Sequence, residues 1–137
     1  MKLTTSAFKD GGFIPKLYTC DGQSLIVPLS WSGAPKGTAW FAVTAIDVSA
    51  SITHWYLIDI PPTTTGIKPG TSYSMPGKRV TSWFAPCPQG SDTYEFTVYA
   101  MPSSYQPLQT HGVYLEDEDG LAAHALGIGQ LIGYYSD

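Results

Sequence analysis

Three ionisable side chains at the ends of apolar stretches carry the chemistry that this sequence offers: Asp47, His54 and Asp92. Asp47 ends the nearly continuous apolar run from Trp40 to Ile46. His54 opens the stretch His54-Trp55-Tyr56-Leu57-Ile58-Asp59-Ile60, and Asp92 stands just before Tyr94-Glu95-Phe96-Thr97-Val98-Tyr99-Ala100. An imidazole between two carboxylates is an acid/base set, because a carboxylate bonded to the ring fixes its tautomer and raises its basicity. Two carboxylates in one poorly hydrated pocket push one pKa upward, so that one of them can hold a proton near neutrality. Such a set suits isomerisation, dehydration or cyclisation of a neutral, apolar substrate without a cofactor. Each residue also has an ordinary structural role open to it. A histidine that opens a strand can be a bonded core residue, and an aspartate at a strand end or beside Gly90-Ser91 caps turn amides.

The elements that must position these groups are strands. His54, Tyr56, Ile58 and Ile60 alternate with Trp55, Leu57 and Asp59, and Pro61-Pro62 ends the run because proline cannot donate to a ladder. Tyr94, Phe96, Val98 and Ala100 share a face opposite Thr93, Glu95, Thr97 and Tyr99. The unbroken apolar character of 40–46 predicts a strand covered on both sides. Strands are expected near 2–8, 26–31, 38–47, 53–60 and 93–101. Residues 63–79 and 101–112 read as loops, the first with room for one short strand. Tyr114 to Leu126 is the helix expected: Glu116-Asp117-Glu118-Asp119 suits the positive end of a helix dipole, and Leu115, Ala122 and Leu126 share a face. Gly127 to Tyr134 reads as a final strand. The predicted architecture is an all-β sandwich, 1–137 as a single domain, with a short peripheral C-terminal helix.

Composition narrows the function. Across 137 residues the formal net charge is −4 and Arg79 is the only arginine. Without a basic stripe, nucleic acid is not an expected partner, and a bidentate phosphate clamp is hard to build. No stretch has the length and apolarity to cross a bilayer, and Met1 to Phe8 lacks the apolar core of a secretory signal. A cytoplasmic location is therefore expected. Cys20 and Cys87 are far apart and in no metal-ligand spacing. They are expected as reduced, buried thiols in such a compartment, the alternative being a partly exposed, nucleophilic Cys87 between Pro86 and Pro88. His54, His111 and His124 form no zinc pattern. No metal or cofactor is expected.

Several blocks, spread over nearly the whole chain, resemble the phosphatidylethanolamine-binding or Raf kinase inhibitor family in its short bacterial and archaeal form. They are Met1-Lys2-Leu3-Thr4, Ala7-Phe8-Lys9-Asp10-Gly11-Gly12 and Tyr18-Thr19-Cys20-Asp21-Gly22 at the start. Pro28-Leu29-Ser30-Trp31-Ser32-Gly33 and His54-Trp55 with Ile60-Pro61-Pro62-Thr63-Thr64 follow. Pro86-Cys87-Pro88, Tyr94 to Ala100, and His124-Ala125-Leu126 through Leu131-Ile132-Gly133-Tyr134 complete the set. The resemblance implies the same sandwich fold and a small anion-binding cavity. By position His54 matches the family's strand histidine, Pro86 and Pro88 its proline loop, and Tyr94 its last tyrosine. The departures fall in that cavity. An Asp-Pro-Asp-x-Pro loop is reduced to Asp47, a His-Arg pair before the tyrosine becomes Asp92-Thr93, and a glycine becomes Ala85. Asp92 sets a second carboxylate where an anion would lie, so phosphate-headgroup binding is expected to be weakened or lost.

Two functional readings follow. One is a small-molecule-binding module with an altered pocket, its ligand touching Ala85, Pro86, Cys87 and Tyr94 between the aromatic walls Trp83, Phe84 and Trp55. The other is a cofactor-free cyclase, isomerase or dehydratase using His54 with Asp47 and Asp92. Membrane insertion is expected in neither, and a monomer or homodimer in both. Kinase or protease inhibition is a family property that these residues do not themselves indicate.

Overall fold

In the computed structural model, which describes residues 1–70 and 75–137, the elements run β1 (Lys2–Thr4), β2 (Gly12–Phe13), a 3-10 turn (Lys16–Tyr18), β3 (Leu29–Ser32), β4 (Trp40–Asp47), β5 (Ile52–Ile60), β6 (Gly66–Ile67), β7 (Lys78–Thr81), β8 (Ser91–Met101), β9 (Gln109–Thr110), β10 (Val113–Tyr114), α1 (Glu118–His124) and β11 (Gly127–Ser136). Six strands form one sheet in the order β2-β11-β8-β4-β5-β7, with β2 parallel to β11 and the other neighbours antiparallel. A smaller antiparallel sheet, β1-β3-β6, packs over it, and β9 and β10 form a separate hairpin.

The large sheet is buried on both faces, which is why β4 reads as an apolar run rather than an alternation. Toward the small sheet, Val43, Ala45, Trp55, Leu57, Phe96, Val98 and Leu131 meet Leu3, Leu29, Trp31 and Ile67 in one core. On the opposite face, Trp40, Ala42, Tyr56, Ile58, Tyr99 and Met101 pack with Leu121 of α1 in a second core. The sandwich expected from the sequence is therefore present, with the C-terminal helix lying outside the large sheet.

β5 does not keep the simple alternation. Thr53 pairs with Ile46 and Trp55 with Ala45, so His54 is the extra residue of a β-bulge. A second irregularity lies between Leu57, which pairs with Val43, and Ile60, which pairs with Phe41. Asp59 in this interval has φ 53 and binds Lys78 at 3.4 Å. As a result Ile60 joins Leu57 in the inner core, although the alternation placed it with Tyr56 and Ile58.

Several expected boundaries move. The first strand stops at Thr4, and Ile26 makes only an isolated bridge to Gly70, with the strand starting after Pro28. The predicted helix over 114–126 shortens to Glu118–His124. Tyr114 belongs instead to the β9–β10 hairpin, and Asp117 caps the helix by accepting from the Gly120 amide at 3.2 Å. The hydroxyl of Tyr56 in β5 accepts from the Asp117 amide at 2.9 Å, and Tyr105 donates its hydroxyl to the Asp117 carboxylate. These bonds fix α1 to the back of the strand that carries His54. In the stretch 63–79, read as a loop, the short strand β6 and the start of β7 form; residues 71–74 of that stretch lie outside the described residues.

Candidate functional site

Sheet register brings the three ionisable groups to one place. Ile52, Asp47 and Tyr94 are direct neighbours across β5, β4 and β8, so their side chains lie in one row on the inner face. Asp92, two residues before Tyr94, continues that face beyond the end of β4. The bulge turns His54 to the same side, where its ring meets Tyr94 edge-on at 5.3 Å. Together they line a cavity of about 250 Å³ with Ala50, Ile52, Phe84, Cys87, Pro88 and Gln89.

Asp47 takes the turn-capping role that the sequence left open to it. Its Oδ1 accepts from the amides of Ser49 at 2.9 Å and Ala50 at 3.0 Å, which closes the turn between β4 and β5. The same carboxyl faces the cavity. The turn is further held to β8, because Val48 donates to the Thr93 carbonyl and the Thr93 amide donates to the Ser49 hydroxyl.

His54 is fixed by Phe84. Its Nδ1 lies 2.7 Å from the Phe84 carbonyl, which can only accept, so Nδ1 carries the proton. In return the Phe84 amide donates to the His54 carbonyl at 3.0 Å, and the two rings stack at 4.1 Å. Only Nε2 remains for a guest. Burial pushes the imidazole below the ordinary histidine value, while the bond to Phe84 and the charge of Asp47 act in the opposite direction. With burial dominant, Nε2 is a neutral acceptor.

The acidic side is equally defined. A shared hydrogen bond with Asp47, then burial and the Asp47 charge, push the Asp92 carboxyl above the ordinary aspartate value. Tyr94 is 1% exposed and its hydroxyl makes no hydrogen bond. Burial and the two nearby carboxylates hold that phenol protonated far above neutral pH. None of the described residues lining the cavity is lysine or arginine.

The six residues expected to touch a ligand divide. Cys87 and Tyr94 line the cavity. Ala85 and Pro86 are buried beside it and turn no side chain to it. Trp55, fully buried, belongs to the inner core, with the Trp83 ring edge-on at 5.4 Å. Trp83 lines a separate cleft of about 470 Å³ with Gln23, Ser24, Ile26, Met75, Arg79 and Ser82, so Arg79 is not among the groups around His54. Phe84, expected as a wall, stacks on His54, and Pro88, matched in the sequence to the proline loop, lines the cavity, whereas Gln89 carried no signal beyond its place in that loop.

The cysteines correct an expectation. Cys20 and Cys87 form a disulfide across 67 residues, and both are exposed rather than reduced and buried. Oxidation removes the free thiol that a nucleophilic Cys87 requires. The bond ties the loop after the 3-10 turn to the cavity wall, beside a hydrogen bond from the Cys20 amide to the Pro86 carbonyl at 3.0 Å. The other histidines are engaged elsewhere: His124 stacks on Tyr105 at 4.3 Å, and His111 occupies the β9–β10 turn. Among the described residues no three His, Cys, Asp or Glu side chains lie close enough to hold a metal ion. No helix there is long and apolar enough to cross a membrane.

Comparison with known proteins agrees with the fold. The crystal structure of CT736 from Chlamydia trachomatis, provisionally described as a phosphatidylethanolamine-binding protein homolog, superposes with a TM-score of 0.77 at 22% identity, covering 99% of this chain and 97% of the other. Escherichia coli YbcL gives 0.75 at 22% identity, covering 99% and 98%. In sequence, a UPF0098 protein of Methanothermobacter thermautotrophicus is 34% identical over 98% of each chain. A Mycobacterium tuberculosis protein, provisionally named lipoprotein LppC, is 32% identical over 98% of this chain and 72% of its own length. The model of the family described as phosphatidylethanolamine-binding protein matches residues 4–136. On that match and these relatives, the chain belongs to the phosphatidylethanolamine-binding protein family.

Proposed function

We propose that this chain binds a small molecule with a non-anionic polar head in the cavity around His54, and that phosphate is a poor guest there. One observation carries the reading. Asp47, Asp92 and the unpartnered Tyr94 hydroxyl meet in a cavity with no lysine or arginine among its described lining residues. A phosphoryl group would face two carboxyl groups and no fixed positive charge, where phosphate sites normally supply cations and N–H donors. A neutral or cationic head instead finds acceptors at Asp92 and at His54 Nε2. Titration calorimetry with phosphoethanolamine tests the reading. No micromolar binding is expected, and micromolar affinity overturns it. Soaking crystals with phosphate and with neutral aromatic compounds gives a second check, with density beside His54 expected only for the latter.

A second reading, cofactor-free acid/base catalysis, draws on the His54 tautomer: Nδ1 is bound to Phe84 and a neutral Nε2 is left as base, beside a carboxyl whose proton is held more tightly than usual. Conversion of a bound compound that is lost in a folded His54→Ala variant would select this reading over binding alone. The compartment is reassigned as well. An exposed Cys20–Cys87 disulfide favours an oxidising environment over the cytoplasm expected from the sequence, and thiol labelling of the protein in its native cells would decide between them.

A further inference from the structure

The binding reading leaves the charge of the guest open, and the cavity's unsatisfied groups narrow it. Asp47 has one carboxyl oxygen committed to Ser49 and Ala50, which leaves the other beside Asp92. Tyr94 presents a fully buried hydroxyl oxygen that accepts nothing. His54 has Nε2 as its remaining nitrogen. With the second Asp47 oxygen shared with Asp92, the acceptors left around the hollow are Asp92, Tyr94 and His54, and three is the number of N–H bonds on a primary ammonium. Two aromatic rings, Phe84 and Tyr94, border the same space, and ring faces attract cations. An unpaired buried acceptor costs folding free energy, so a guest that satisfies Tyr94 recovers that cost on binding.

The rim sets the rest of the molecule. Ile52 and Phe84, which line the cavity, are each more than two-fifths exposed, at 43% and 48%. The volume of about 250 Å³ falls below the range of about 300–1,000 Å³ that encloses most whole ligands. The cavity thus holds a head, and the body rests outside it on an apolar collar.

We propose, building on the binding function above, that the cavity recognises an ammonium head carried on an apolar or aromatic body, with Asp92, Tyr94 and His54 as its acceptors and Ile52 and Phe84 as the seat of the body. The groups facing Asp92 are Asp47 from β4, His54 from β5 and Tyr94 from its own strand. Tyr135, opposite it on β11, gives its hydroxyl to Asp21 at 2.5 Å. Where acid has protonated Asp92, ammonium binding releases that proton to solvent, so affinity rises with pH until Asp92 is ionised.

Calorimetry with 2-phenylethylamine, 2-phenylethanol and 2-phenylethyl phosphate tests this on the full chain. The amine is expected to bind at least about tenfold more tightly than the alcohol, and the phosphate most weakly. Amine affinity should fall as acid protonates Asp92, with proton release then seen as a buffer-dependent heat. Asp92→Asn should lower amine affinity about tenfold, and more than it lowers that of the alcohol. Tyr94→Phe should weaken the amine while preserving the fold, which thermal melting would confirm. Equal binding of amine and alcohol overturns the ammonium inference and leaves the binding function standing. Tightest binding of the phosphate overturns both. No binding of any of the three at millimolar concentration overturns the ammonium inference, and the function is then judged by its phosphoethanolamine and soaking tests.

Discussion

His54 and Phe84 are joined three ways: a ring N–H donated to a carbonyl at 2.7 Å, a backbone amide returned at 3.0 Å, and stacked rings at 4.1 Å. Phe84 therefore acts as an extension of β7 alongside β5, with its side chain serving as both cavity wall and lid to the imidazole. Its backbone sets the tautomer, and that part survives any substitution which keeps the backbone in place. Phe84→Ala is expected to cost about 1 kcal/mol or less of stability, since the ring is half exposed, yet to weaken any aromatic guest measurably. Urea denaturation and ligand titration of the same variant separate the two effects.

Acid should loosen the fold through His54. Its folded value is depressed by burial, so the unfolded chain takes up a proton first as pH falls below about 6.5. The contribution is fully present above that value and is lost on acidification. Asp92, whose folded value is raised, acts with the opposite sign at lower pH. The melting temperature is expected to fall between about pH 7 and about pH 5.5, and to fall less in His54→Gln; an identical slope in both would assign the loss to other groups.

Removing the Cys20–Cys87 bond should be costly. By chain entropy a cross-link closing 67 residues is worth about 4 kcal/mol. Cys87→Ser, or wild type treated with a reductant that reaches these exposed sulfurs, should lose most of that in denaturant titrations. Guest affinity should drop too, because Cys87 stands in the cavity wall.

Asp92→Asn should move phosphate and amine in opposite directions. Replacing the carboxyl by an amide removes like-charge repulsion, and the affinity of 2-phenylethyl phosphate, which carries no ammonium, is expected to rise about tenfold. A fall, measured on the same calorimeter, would mean that Asp92 assists anions.

Leu121 is the one buried residue of α1 and fills the outer core between Tyr56 and Tyr99. Leu121→Ala is expected to destabilise by about 2–5 kcal/mol, with loss of the helix signal ahead of the sheet in hydrogen exchange.

Much of this arrangement was legible in advance, and the exceptions have physical causes. β4, β5 and β8 were readable because burial imposes a period, but the register that sets Asp47 beside Tyr94 left no local mark in the sequence. The bulge at His54 was not. It inserts one residue without any glycine to mark it, so the alternation placed Trp55 opposite the histidine although it packs in the inner core. Tyr114 was assigned to the helix because acidic residues follow it, whereas the cap at Asp117 decides where the helix starts. The disulfide was hidden because a sequence separation of 67 leaves no local trace of a pairing. Trp83 and Phe84 were both read as walls, but adjacent residues in extended chain face opposite ways and serve different hollows.

β11 lies between β8 and β2, so a segment near the start of the chain and one near its end are stitched side by side. Gly133 permits this: a Cβ there would come within 2.7 Å of Ile14 and 2.9 Å of Phe8. During synthesis on the ribosome, β8 must wait with a bare edge until residues 127–136 emerge. The nascent protein therefore spends that interval with an open template for mispairing, and chaperone dependence should concentrate there.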